Sequence, residues 1–266
     1  MLVADNVKEI VKRTRLAVPF ILVKNLTTRA TSQSNEAEIL RRIVSRLDIP
    51  KCFIELGFSG FEFNTAELAK RRDWIGLLVD GGAYNVRIAR LTLHSGIRAE
   101  EMWIDLDTLE RVFDYAKSKK VGVLSVDVDG NDFWFLEKLI TIRPAVIVAE
   151  FNVSLGLRPI TVPYDPAFDR KKKHETGEYY GASIAAIGHL CANNDYSLVE
   201  ISRNGVNAFF VRNDVLAGHW KKIDIDDVPL TKSYPDGSLA PTDKFWQQIR
   251  AMPFIDVTKM TAASVS

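Results

Sequence analysis

Residues 51–60 read KCFIELGFSG and residues 74–82 read WIGLLVDGG. Each is a short apolar run that stops at glycine. The first carries Glu55 ahead of Gly57 and Gly60; the second closes on Asp80 ahead of Gly81 and Gly82. Apolar runs of about four to eight residues between turn signals read as buried strands, because a helix needs about ten or more. Glycine after a strand allows a tight turn and close approach of the backbone to a ligand. The helix N-terminus that follows offers unpaired N–H groups.

Working outward, the same alternation continues. Strands are predicted over 52–56, 74–79, 100–104, 121–127, 145–151, 196–201 and 207–212. Helical spacing falls at 62–72, 83–94, 106–118, 132–140 and 181–194, clearest where Leu106, Leu109, Val112, Phe113 and Ala116 share one face. Strands alternating with helices imply right-handed crossovers and a mostly parallel sheet covered on both sides. The last two strands are joined by a short Arg-Asn-Gly turn, which reads as an antiparallel hairpin. The expected fold is therefore α/β: a Rossmann-like sheet of the class I methyltransferase plan, where a dinucleotide-binding sheet would end on a parallel strand. Residues 1–50 form a helical preface, with faces at 2–16 and 35–48 around a Ser/Thr-rich stretch from Thr27 to Ser34. Residues 51–213 form the ligand-binding domain. Within it, 153–180 has three prolines and no period, the mark of a functional lid. Residues 214–266 wrap the domain as loops and short helices, with a disordered end.

Bulk numbers narrow the function. Lys plus Arg (35) nearly cancels Asp plus Glu (34), so no overall field attracts nucleic acid or an anionic membrane. Cys52 and Cys191 are in no metal-ligand spacing and read as buried free thiols, which suits a reducing compartment. The N-terminus lacks the apolar core of a secretory signal, and no apolar run approaches the roughly 20 residues of a membrane span. A cytoplasmic protein is expected, with oligomeric state open.

Three groups of residues carry candidate chemistry. Asp80, at the end of the second strand, is placed to accept hydrogen bonds from both hydroxyls of a ribose. The turn at Gly57 is not G-x-G-x-x-G and offers no pyrophosphate cradle, which favours S-adenosylmethionine over a dinucleotide. The fourth strand ends in Asp127-Val-Asp129-Gly130-Asn131-Asp132. Carboxylates so close repel one another unless a cation sits among them: the ammonium and sulfonium of the cofactor, a divalent ion such as Mg²⁺ or Ca²⁺, or Arg and Lys. Asp127, Asp129 and Glu150 are the candidate metal ligands, while Asn131 or Asp132 reads as a helix cap. In the segment 153–180, the run Arg170 to Lys173 reads as solvated surface or as attraction for an anionic acceptor. His174 reads as a surface histidine or as a base, and Ser183 as a helix start.

The blocks Ser32-Gln33 with Glu36, FIELGFSGFEFNT (53–65), GLLVDGG (76–82), LSVDVDGNDFWFLEKL (124–139), VIVAEFN (146–152), VPYDP (162–166) and YYGAS (179–183) resemble the FkbM-like S-adenosylmethionine-dependent methyltransferases of glycan and natural-product gene sets. The resemblance implies that Glu55, Gly57 and Gly60 form the cofactor loop, Asp80 the ribose acid and Asp105 a neighbour of adenine. It implies that Asp127 and Asp129 face the methionine moiety and the acceptor. Glu150 and Asn152 would line the acceptor side, with Tyr179 and Tyr180 closing it. O-methyl transfer to a small polar acceptor follows, a sugar, glycan precursor or natural-product intermediate, with Asp129 or His174 as base. Two other classes stay open: a metal-dependent nucleotide-sugar glycosyltransferase using Asp127 and Asp129, and a non-catalytic docking module.

Overall fold

Successive side chains of a strand point to opposite faces of its sheet, and this chain is apolar on both. From the strand β1 (Cys52–Leu56), Ile54 and Leu56 enter one core while Phe53 enters the other. In β5 (Val146–Glu150), Ile147 and Ala149 enter the first, Val146 and Val148 the second. A sheet apolar on both faces must be covered by helices on both.

The computed structural model describes residues 31–260, except 217 and 219. The expected helix over 2–16, the first half of the Ser/Thr-rich stretch and the last six residues lie outside the described residues. The remaining sheet strands are β2 (Ile75–Asp80), β3 (Ile97–Glu101), β4 (Val123–Val126), β7 (Tyr196–Ile201) and β8 (Asn207–Arg212). They form one seven-stranded sheet in the order β3-β2-β1-β4-β5-β8-β7. The first five are parallel, and β8 runs antiparallel to both β5 and β7. This is the mostly parallel Rossmann-like sheet with an antiparallel final hairpin expected from the sequence. Helices α1 (Glu36–Val44), α2 (Ala66–Ala69) and α3 (Ala83–Thr92) cover one face; α4 (Leu109–Lys117), α5 (Asp132–Leu139) and α7 (Ile184–Ala192) cover the other. Cys52 and Cys191 are both buried free thiols. Among the described residues no helix is long and apolar enough to cross a membrane.

Two elements differ from expectation. β3 lies at Ile97–Glu101 rather than 100–104, because its pairing with β2 runs from Gly76↔Ile97 to Asp80↔Glu101 and frees the residues beyond for a loop. The helix expected over 62–72 shrinks to Ala66–Ala69. Phe61 O and Phe63 N are bound to Thr31, and the N–H groups of Asn64 and Thr65 donate to Glu55.

The segment 153–180 is anchored rather than loose. It contains β6 (Ile160–Thr161), paired antiparallel with β9 (Ile255–Asp256), and the single-turn helix α6 (Arg170–Lys173). Leu155, Val162, Phe168, Tyr179 and Tyr180 form a small core with Ile249 of α9 (Thr242–Ile249). The C-terminal stretch therefore pins the segment to the sheet, and Arg158 stacks 4.0 Å from the Trp246 ring to reinforce the contact.

Candidate active site

A cavity of about 610 Å³ opens at the carboxyl ends of β1, β2, β4 and β5, around the gap between β1 and β4 where the strand order reverses as the chain returns from β3 to β4. Open α/β sheets bind ligands at this switch point, and the volume suits a cofactor-sized molecule.

One end is built on Gly57 and Asp80. Gly57 has φ +75°, and a Cβ there would lie 1.7 Å from the Asp127 carbonyl oxygen, so the turn requires glycine. The Asp80 carboxylate organises the surrounding backbone: Oδ1 accepts from Gly82 N at 2.7 Å and Asn85 Nδ2 at 3.0 Å, and Oδ2 accepts from Phe58 N at 3.2 Å. A carboxylate has about four lone-pair sites, so acceptor capacity remains for a ligand. Gly60 does not line the cavity; its N–H donates to Asn85 Oδ1 at 3.1 Å and it packs on Ile88. Asp105 is also off the wall, accepting from Thr108 N at 2.7 Å at the start of α4. The position expected for Asp105 is taken by Trp103 and Ile104. Trp103 is 59% exposed, lies over Gly81 and donates from Nε1 to Pro166 O at 2.8 Å. No signal marked Trp103, because it fell inside the strand expected over 100–104.

Glu55 is buried on the floor and accepts from Asn64 N at 2.8 Å, Thr65 N at 2.9 Å and Thr65 Oγ1 at 2.5 Å. Burial outweighs these bonds and pushes its carboxyl from 4.5 up to about 7. The folded state thus binds this proton more tightly than the unfolded chain. The group's stabilising contribution is complete below about pH 4.5 and is lost as pH rises through about 7, a swing of about 3 kcal/mol. Glu55→Gln is expected to flatten the fall in unfolding free energy over this window relative to wild type, measured by urea denaturation across pH. An unchanged slope would show that Glu55 is not its source.

The other end gathers the acidic cluster, but not as expected. Asp132 is not a helix cap: its oxygens accept from Val128 N at 2.7 Å and Gly130 N at 2.8 Å, closing the turn after β4. Asn131 also makes no cap and holds Asp165 O at 2.8 Å. Asp127 and Glu150 stand together in the cavity, and burial and then neighbouring carboxylates hold both well above the carboxylate range. Such a pair favours sharing a proton. Asp129, with φ 59°, turns instead to an ion pair with Arg170 Nη1.

The candidate metal set Asp127, Asp129 and Glu150 is corrected on this geometry. Asp127 and Glu150 face each other while Asp129 faces Arg170. Among the described residues no group of three or more His, Cys, Asp or Glu side chains is placed to hold a metal ion.

Besides Gly60 and Asp105, four expected residues do not line the cavity. His174 stands at the end of α6, its Nδ1 2.8 Å from Thr176 Oγ1. The Asn152 amide donates to Glu178 O at 2.8 Å and Tyr180 O at 3.1 Å, so it holds the end of the segment 153–180. Tyr179 and Tyr180 are buried in the third core, and Tyr180 backs the Arg170 guanidinium at 3.7 Å. Ser183 caps α7 as expected, accepting from Ala186 N. Of the basic run, only Arg170 reaches the cavity; Lys173 pairs with Asp165 at 2.5 Å.

Asn207 and Lys232 line the cavity without having been foreseen. Asn207 faces Glu150 across the β5–β8 pair, and both Asn207 Oδ1 and Glu150 Oε2 are buried with no hydrogen-bond partner. Lys232 comes from a proline-bounded stretch with no period to read.

No protein-family model matches the chain, and no curated protein matches its sequence. Solved structures share the plan at low identity. The N-terminal domain of EvdMO1 with SAH bound is 16% identical over 68% of this chain and 80% of its own, with TM-score 0.42. An O-methyltransferase from Bacillus cereus in complex with SAH is 15% identical over 79% and 96%, with TM-score 0.44. A SAM-dependent methyltransferase from Aquifex aeolicus is 13% identical over 66% and 89%, with TM-score 0.36. The chain is similar to these proteins in its sheet, and the ligands belong to them.

Proposed function

We propose that this chain is an S-adenosylmethionine-dependent methyltransferase that methylates a hydroxyl of a small polar acceptor, a sugar, glycan precursor or natural-product intermediate. The observation that carries the reading is the wall around Asp80. A carboxylate with acceptor capacity stands between a glycine backbone and an exposed indole, a fit for a ribose and its base. Among the described residues lining the cavity, the cations are Arg170 and Lys232, both at the other end. A nucleoside without phosphates suits this wall better than a dinucleotide.

S-adenosylmethionine, held by Gly57, Asp80 and Trp103, would supply an activated methyl group for the acceptor hydroxyl, and this chain must take up the proton that the hydroxyl gives up. Alignment of the two substrates contributes most of the acceleration. The Asp127–Glu150 pair suits the proton better than the residues expected from sequence, since Asp129 is engaged by Arg170 and His174 lies off the cavity. A carboxyl with a raised pKa is a competent base near neutrality. The sugar-nucleotide alternative loses its anchor, because Asp127 and Asp129 do not converge.

Isothermal titration with S-adenosylhomocysteine tests the reading; micromolar binding supports it and absence of binding ends it. Trp103→Ala is expected to weaken that binding about tenfold, from loss of stacking worth about 1–3 kcal/mol per base. An unchanged affinity would place the adenine elsewhere.

A further inference from the structure

Taking the methyltransferase reading as its basis, we propose that the acceptor carries an anionic group, a carboxylate or a phosphate, held by Arg170 and Lys232 together. These two cations come from segments far apart in the chain, yet both line the end of the cavity opposite Asp80. Their side chains are mostly buried, 22% and 18% exposed. Both lie against the buried Tyr180 ring, Arg170 at 3.7 Å and Lys232 at 5.9 Å, which restrains where their charges stand.

The hydrogen bonds around them are incomplete. Arg170 commits Nε to Gly177 O at 2.8 Å and Nη1 to Asp129. Its Nη2 is 3.9 Å from Glu178 Oε1, and Lys232 Nζ is 3.7 Å from that same oxygen. Both distances exceed a hydrogen bond. Glu178 thus attracts both cations without saturating either, and its own Oε2 has no hydrogen-bond partner. An ammonium that lines the cavity with its nearest carboxylate oxygen 3.7 Å away keeps donor capacity for a ligand. A ligand oxygen reaching both groups would complete them, and Arg suits the bidentate geometry of carboxylate or phosphate. Glu150 and Asp129 flank the position, so the methyl-accepting hydroxyl and the anionic group would belong to one small molecule.

The test uses protein saturated with S-adenosylhomocysteine and titrated with inorganic phosphate, acetate and neutral glycerol at constant ionic strength. Binding of phosphate or acetate, with none of glycerol, is expected, and the two anions distinguish phosphate from carboxylate as the preferred group. Lys232→Met is expected to weaken the anion at least tenfold while S-adenosylhomocysteine affinity stays within twofold. Lys232→Arg, which keeps the charge, is expected to retain anion binding. Three outcomes overturn the proposal: neither anion binds, Lys232→Met binds as wild type does, or Lys232→Met loses S-adenosylhomocysteine. The last would assign Lys232 to the cofactor carboxylate. If the wild type fails to bind S-adenosylhomocysteine, the methyltransferase reading falls by itself, and anion titration of the unliganded protein still reports on Lys232.

Discussion

Asp80→Ala is expected to weaken S-adenosylhomocysteine binding about 100-fold or more. Two ribose hydroxyls donating to one carboxylate are charge-assisted bonds of about 1.5–3 kcal/mol each, and each 1.4 kcal/mol is a factor of about ten. The same carboxylate also holds Phe58 N, Gly82 N and Asn85, so its removal loosens the turns after β1 and β2. Asp80→Asn is the milder change: the amide keeps one acceptor oxygen, enough for Gly82 N and Asn85 Nδ2 but not also for Phe58 N, and one ribose bond is lost, so a loss of at least about tenfold is expected. Titration calorimetry gives the affinities, and thermal unfolding shows whether each variant stays folded. Wild-type affinity in Asp80→Ala, with the protein folded, would remove Asp80 from the cofactor site.

Gly57→Ala is expected to cost about 3–5 kcal/mol of folding stability, the range of severe core and backbone defects. The new Cβ would fall 1.7 Å from the Asp127 carbonyl oxygen, at a φ of +75° that side-chain-bearing residues rarely adopt. The obstacle is backbone, from the loop after β4 that carries Asp127, and β1 and β4 are adjacent and paired, so neither strand can retreat cheaply. Gly60→Ala makes the contrast. Its Cβ would meet Ile88 Cδ1 at 2.7 Å, a side chain with some freedom, so a loss of about 1–3 kcal/mol is expected. Urea unfolding of the two variants measures both, and equal costs would contradict the backbone argument.

Asp127, Asp129 and Glu150 show how far sequence placed the site. Each follows or ends a strand whose apolar run is plain, so their arrival at one end of the sheet was legible. Their partners were not. Asp129 meets Arg170 across 41 positions of chain, and that contact, rather than anything near Asp129, withdraws it from a metal set. Tyr179 and Tyr180 illustrate the reverse. They are buried because α9, more than sixty residues later, packs on the segment they belong to.

The strand–glycine–helix alternation depends on neighbours within a few residues: an apolar run, a turn that needs glycine, an acid at a strand end. Sequence by itself therefore determined the parallel sheet with its closing hairpin, the glycine turn at Gly57 and the location of Asp80. Which side chains face the cavity was decided by tertiary structure. Trp103, Asn207 and Lys232 are brought there by strand pairing, by the antiparallel entry of β8 and by a loop returning from the C-terminal stretch. Their roles are set by what lies across the cavity, and that distance in space leaves no spacing along the chain.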